Sequence, residues 1–180
     1  MIVTLFGESH GPAVGALIEG MPANVEFDLE QLIADMVSRR PGSGLASKRK
    51  ETDDVEILSG VNNGKTTGMP ILLLIRNQDV RSKDYSFLPY QPRPGHVDHP
   101  INIKTEGAAD LRGGGSFSAR LTAGLVAASS ISRNIIPDDW KIEATVGALG
   151  GLEGEEGIAL AEPVSYTHLR AHETFANRVC

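Results

Sequence analysis

The sequence predicts a mixed α/β fold of the α+β kind, with strands and helices layered around one core. Three observations carry that expectation. Short apolar runs bounded by Gly, Pro and Asn recur along most of the chain. One segment, residues 29–37, instead repeats its apolar residues at helical spacing. A second, residues 118–136, is small and apolar throughout. Glycine fills 20 of 180 positions while hydrophobic residues make up 41%, too many aliphatics for a disordered chain. The length by itself is that of about one domain.

Taken in order, Ile2–Phe6 reads as a buried strand and Val14–Glu19 as a second, after a turn at Gly7–Pro12. Asp28 is a helix N-cap, with Gln31 three residues on completing a capping box. Leu29, Leu32, Ile33, Met36 and Val37 then put one apolar face on the core. Pro41-Gly42 stops that helix and leaves Arg39 and Arg40 at its last turn. Val55–Leu58 is a short strand, Asn62-Asn63-Gly64 a turn, and Pro70–Ile75 another buried strand. Residues 76–112 are polar and dotted with proline, more loop than element. Ser118–Ile136 is the second helix, and Lys141–Leu149 returns to strand.

Charge and composition exclude several function classes. The net charge of −6 gives no basic field for nucleic acid. The longest apolar run, Ile71–Ile75, is far short of the ~18–20 residues of a membrane span. The start has neither a basic region nor a small-residue cleavage site, so it does not read as a signal peptide. With a single cysteine, Cys180, the chain fits a reducing compartment and is expected in the cytoplasm. Arg39, Arg40, Lys48, Arg49 and Lys50 gather five cations without an acid among them. That patch suits a small anionic ligand, or is a solvated basic loop.

Three loops carry candidate chemistry. Gly7-Glu8-Ser9-His10-Gly11 has the letters of a serine-hydrolase elbow, but Pro12 and a β-like segment follow where that motif needs a helix. A glycine-flanked histidine beside a serine suits proton donation; the alternative is a turn histidine in a hairpin. Arg93-Pro94-Gly95-His96-Val97-Asp98-His99 offers a histidine proton donor with Arg93 as anion anchor, half of a metal site, or a structural turn. No other cluster completes a metal site, so none is expected. Arg112-Gly113-Gly114-Gly115-Ser116-Phe117-Ser118-Ala119-Arg120 reads as glycines entering a helix with backbone amides aimed at a phosphate, or as a flexible linker. It matches neither common nucleotide-binding glycine motif.

In this order the loops resemble chorismate synthase. Gly7–Gly11 continuing to Glu19-Gly20-Met21-Pro22 is similar to that family's amino-terminal signature. Arg39-Arg40-Pro41-Gly42, Ile57-Leu58-Ser59-Gly60, Thr66-Thr67-Gly68, Asn77–Tyr85, Arg93–Asp98 and Gly113–Arg120 resemble its later segments. The resemblance runs from Val3 to about Gly151. It implies a β-α-β sandwich of antiparallel sheets and helices, here the amino-terminal half only. The implied activity is that of a lyase: anti 1,4-elimination of phosphate from 5-enolpyruvylshikimate 3-phosphate to give chorismate, in aromatic amino acid biosynthesis. It further implies reduced FMN as cofactor, NADPH as a candidate reductant, a homotetramer when intact, and an inactive fragment. By resemblance His10 serves the departing phosphate and His96 the flavin. Arg39, Arg40, Arg93 and Arg112 would bind substrate or NADP, and Ser116, Phe117, Ser118 and Arg120 would bind FMN. Two departures stand out: Ser116 where many members carry arginine, and Leu45 where many carry a basic residue. The remaining alternatives are a non-catalytic anion-binding module and the serine hydrolase.

The last residues differ from the rest. From Ser165 to Cys180 there is no glycine or proline, yet the segment holds the lone cysteine and the pair His168 and His172. It resembles a translated sequencing-adapter string. The expectation is therefore a partial domain over residues 1–164 and a non-native tail over 165–180. The start likewise lacks a short strand that family chains usually carry.

Overall fold

Short runs of apolar and small residues over 13–19 and of large aliphatics over 71–75 favour two strands, and a strand turns alternate residues to one inward face. The computed structural model of the chain describes residues 1–40, 51–78, 82–137, 139–140, 142–145, 147–149 and 152–153. Two compact units are present, residues 1–40 with 50–136 and residues 41–49 with 137–180. In chain order the first unit contains strands β1 (Ile2–Gly7), β2 (Ala13–Glu19) and β3 (Ala23–Glu26), then helix α1 (Leu29–Ser38). Strands β4 (Val55–Ser59), β5 (Val61–Asn62), β6 (Lys65–Thr67) and β7 (Ile71–Arg76) follow, then helices α2 (Asp98–Lys104) and α3 (Thr122–Ser132). Short 3₁₀ turns lie at Ser82–Tyr85, Arg112–Phe117, Ala119–Leu121 and Arg133–Ile135. The second unit contributes the hairpin β8 (Ala148–Leu149) and β9 (Leu152–Glu153).

One four-stranded antiparallel sheet runs β1-β2-β7-β4, and a smaller three-stranded sheet runs β3-β6-β5. In the larger sheet Val14 lies opposite Ile75, Ala16 opposite Leu73 and Ile18 opposite Ile71. All six are fully buried, so the period-2 pattern of each strand sets the register of the pair. Leu32 and Met36 of α1 and Ala123, Ala127, Ala128 and Ile131 of α3 join the same core cluster. Small residues on α3 permit a close crossing. A Cβ on Gly124 would stand 2.5 Å from the backbone oxygen of Gly15, in the middle of β2.

The mixed α/β class with antiparallel sheets is as expected, while several element readings need correction. The N-cap is present, with the Asp28 carboxylate accepting from the N–H groups of Glu30 at 2.9 Å and Gln31 at 3.1 Å. The reciprocal half of the capping box is not, because Gln31 Nε2 donates forward to Asp35 Oδ1 at 2.8 Å. The apolar face of α1 is wider than the surface it covers: Leu32 and Met36 are buried, whereas Leu29, Ile33 and Val37 are about half exposed. Within 76–112, expected as loop, α2 forms across a segment whose Pro100 sits in its first turn, where a missing N–H is tolerated. The second helix is shorter than read. Its α-helical part is Thr122–Ser132, framed by 3₁₀ turns. Of the strand expected over 141–149, Ala148–Leu149 is strand, and residues 142–145 carry no regular structure. Leu45, Lys48, Arg49, Lys50, Pro41-Gly42 and the tail 165–180, with His168, His172 and Cys180, lie outside the described residues. No helix among the described residues is long and apolar enough to cross a membrane.

Gly124→Ala tests the crossing. Alanine gains about 1 kcal/mol of helix propensity, but the contact is with sheet backbone that has nowhere to move. The expected net result is a loss of about 1–3 kcal/mol in urea unfolding, the range for overpacking.

Candidate functional site

The segments that carry the candidate residues are mostly irregular, so side chains and glycines decide how they meet. The loop 8–12 joins β1 to β2 and is not a strand-to-helix elbow. Ser9 is buried at 3% exposure, and its N–H donates to the Gly115 carbonyl at 3.1 Å. That bond ties the histidine loop to the glycine loop. Gly113, Gly114 and Gly115 all have positive φ, at 59°, 88° and 54°, a run that L side chains disfavour.

The reason for glycine there is also steric. A Cβ on Gly113 would stand 2.5 Å from His10 Cε1 and 2.8 Å from Ser9 Oγ. On Gly114 it would make only ordinary contact with His96, 3.4 Å from Cε1 and 3.6 Å from Nε2, so there the positive φ is what favours glycine. Adjacent glycines thus lie against the two histidines, although His10 and His96 lie in separate loops. Tyr85 closes the arrangement. Its ring meets His10 edge-on at 4.9 Å between centroids, and the Arg93 guanidinium lies 5.4 Å from the same ring.

Arg93 in turn grips Asp98. Nε donates to Oδ2 and Nη2 to Oδ1, each at 2.8 Å, and the Arg93 N–H donates to Oδ2 at 3.1 Å. His96 Nδ1 lies 2.7 Å from Asp98 Oδ1. Asp98 is fully buried. A matching pair stands across the glycine loop, where Arg112 Nε and Nη2 donate to the Asp110 carboxylate at 2.8 and 2.6 Å.

The comparisons with known proteins agree with one another. The family profile described as chorismate synthase matches residues 1–179. The chain belongs to the chorismate synthase family. It is 49% identical over 152 residues to the chorismate synthase of Aeropyrum pernix, covering 84% of this chain and 40% of that protein. The chorismate synthase of Sulfurisphaera tokodaii is 41% identical over 181 residues, covering 98% of this chain and 46% of that protein. A crystal structure of chorismate synthase superposes with a TM-score of 0.60 at 34% identity, covering 86% of this chain and 39% of that one. The chain thus spans less than half the length of these chorismate synthases.

Within this member of the family the other expected residues fall into two groups. Ser116 and Phe117 are exposed on the glycine loop, Phe117 at 61%. Ser118 caps the following turn by accepting from the Arg120 N–H at 3.3 Å. Arg120 itself is buried. Nε donates to Asn77 Oδ1 at 3.0 Å and Nη2 to the Arg76 carbonyl at 3.4 Å, while Nη1 binds Asp53 Oδ1. Arg39 binds the other oxygen of the same carboxylate, and its Nη2 reaches Thr122 Oγ1 at 3.5 Å. Arg40 is separate, 3.7 Å from the exposed Asp54. His99 is exposed, and no group of three or more metal-ligating side chains occurs among the described residues.

Sequence reasoning missed Tyr85, Asp53, Asn77 and Asp110, and weighed Asp98 only as a metal ligand. Asn77 holds the histidine loop at both ends. Its Nδ2 donates to the carbonyls of Glu8 at 3.0 Å and Gly11 at 2.8 Å, and its N–H to that of Pro12 at 3.1 Å. Their signal was the family segment Asn77–Tyr85, which contains two of the four.

Electrostatics follow the pairing. For Asp110, hydrogen bonds from the Arg112 side chain hold the carboxyl below its ordinary value against the upward push of burial, and the charge of His10 adds to the lowering. For Asp98, burial pushes upward most strongly of any single cause. The side-chain and backbone hydrogen bonds of Arg93 together outweigh it and hold the carboxyl at about 2. The ionised form is thus the one the fold favours. Its contribution to stability is complete above the ordinary value of 3.8 and is lost as pH falls through about 2. Urea midpoints of the wild type and Asp98→Asn are expected to differ most near neutral pH, with the gap closing on acidification across that window.

Proposed function

We propose that this chain is the amino-terminal part of an enzyme that eliminates phosphate from 5-enolpyruvylshikimate 3-phosphate to give chorismate. In that anti 1,4-elimination the C–O bond to phosphate breaks, a ring C–H bond loses its proton, and a new double bond forms without net oxidation. A departing phosphate needs cations around it and a proton donor at its oxygen. The observation that carries the reading is the seating of His10 and His96 on neighbouring glycines, flanked by Arg93 and Arg112. His10 would donate to the phosphate oxygen as the C–O bond lengthens. His96 would exchange a proton on the side of Gly114, and Arg112, Arg93, Arg39 and Arg40 would supply positive charge toward substrate or NADP.

The exposed groups on the glycine loop suit FMN: a hydroxyl at Ser116, an aromatic face at Phe117 and the half-exposed Arg112 guanidinium beside them. When bound, reduced FMN supplies electron density that eases loss of the phosphate. Arg120 serves that loop as a brace, since its donors are directed to Asp53 and Asn77. The reading extends to NADPH as reductant, a cytoplasmic setting and a homotetramer for the full-length protein.

The test uses reduced FMN and 5-enolpyruvylshikimate 3-phosphate. Residues 1–180 alone should form no chorismate; formation by the fragment overturns its expected inactivity. Fused to a carboxy-terminal half from a relative, the chain should turn over, and His10→Ala should lower kcat by about 10²–10⁴-fold, the range for one general acid. Phosphate binding with elimination unaffected by His10→Ala would instead support a non-catalytic anion-binding module. Residues 165–180 are proposed to be non-native, on their lack of glycine and proline and their lone cysteine. An independent read of the gene beyond the Val164 codon should then diverge from this tail.

A further inference from the structure

Asp98 is buried to 0% exposure at the first residue of α2, and both its oxygens are occupied. Arg93 supplies three hydrogen bonds, and His96 Nδ1 makes the fourth contact at 2.7 Å, the shortest of the set. The same Nδ1 stands 3.1 Å from Arg93 Nη2. Two proton arrangements compete. In one, Nδ1 carries the hydrogen and donates to the carboxylate. In the other, Nδ1 is bare and accepts from the guanidinium, which leaves its lone pair 2.7 Å from a carboxylate oxygen. The second sets two acceptors against each other at hydrogen-bond distance in a buried place, where such repulsion is poorly screened. Arg93 Nη2 has Oδ1 to donate to at 2.8 Å in either arrangement, so what separates the two is whether Nδ1 meets Oδ1 with a hydrogen or with a lone pair. The closer contact decides.

We propose that Asp98 is a positioning residue for His96: its carboxylate accepts Nδ1–H, fixes the neutral ring in that tautomer, and leaves Nε2 as the nitrogen that exchanges protons on the side of Gly114. Several observations meet in this assignment. Nε2 and Cε1 are the ring atoms nearest Gly114, and a Cβ there would stand 3.6 and 3.4 Å from them. Glycine at 114 thus lies against the working edge of the ring, while Asp98 fixes the opposite edge. Arg93 neutralises Asp98, so His96 meets a strong acceptor with little net charge. It also ties the arrangement to Tyr85 and through it to His10. A carboxylate that orients a catalytic imidazole by its Nδ1–H is a known device for setting which nitrogen reacts. The proposal rests on the lyase reading for what His96 acts upon, but not for the tautomer itself.

The test is nitrogen-15 NMR of the histidine-labelled 180-residue chain without substrate, at a pH where the rings are neutral. His96 is assigned by the loss of its signals in His96→Gln. In the wild type Nδ1 should show the shift of a protonated nitrogen and Nε2 that of a bare one. Asp98→Asn, checked for folding by circular dichroism, should shift His96 toward the Nε2–H form or a mixture. A wild-type ring in the Nε2–H form overturns the proposal, as does an unchanged pattern in folded Asp98→Asn. Should that variant not fold, the wild-type pattern decides alone, because Asp98 is the acceptor beside Nδ1 and a guanidinium cannot accept. A failure of elimination in the full-length protein with the Nδ1–H pattern intact would overturn the lyase reading and leave this assignment standing.

Discussion

Two carboxylates buried almost completely, Asp53 and Asp98, hold the irregular half of this molecule together. A charge removed from water must find opposite charge and hydrogen bonds, and losing one partner of such a pair costs about 3–5 kcal/mol. Asp53 meets this demand with Arg39 from the end of α1 and Arg120 from the turn before α3. Asp98 meets it with Arg93 and His96. Asp53 therefore ties the end of α1 to the turn before α3, and Asp98 folds residues 93–96 back onto the start of α2. Arg120 passes the constraint on to Asn77, which grips the loop of His10 at three carbonyls.

Between these anchors the glycine loop acts as a spacer of minimal width. Its three positive φ angles turn the chain sharply, and the missing side chain at Gly113 lets the His10 imidazole come against the backbone. That economy suits the proposed phosphate elimination, because an anion approaches backbone and histidine closely only where no Cβ intervenes. The arginines divide by task. Arg93 and Arg112, themselves partly exposed, stand beside the histidines and each forks onto a carboxylate, Arg120 is buried against Asp53, and Arg40 lies apart beside the exposed Asp54.

Strands β1, β2, β4 and β7 were legible because short apolar runs and the turn residues that bound them are local signals that survive folding. The Asp28 cap was legible for the same reason. Other elements were not. Helix α2 hides in a proline-dotted stretch, since Pro100 is compatible with a first helical turn but reads as a breaker from sequence. The exposed side of α1 was misassigned because amphipathic spacing reports how much apolar surface exists, not how much the neighbouring layer covers. The histidines and arginines of the site were named from their motifs, yet their partners Asp53, Asn77, Tyr85 and Asp110 carry no spacing that marks them.

The sequence by itself determined the family, the mixed layers and the chemically capable residues, because motif letters and hydrophobic period are properties of short stretches. Tertiary structure decided which of them meet. His10 and His96 lie far apart in the chain and are brought to adjacent glycines by contacts of long sequence separation. Arg120 is paired inward because Asp53, from a different segment, is buried beside it. Burial creates those obligations only once the chain has folded, when charge loses its water and must be matched by whatever the topology has placed within reach.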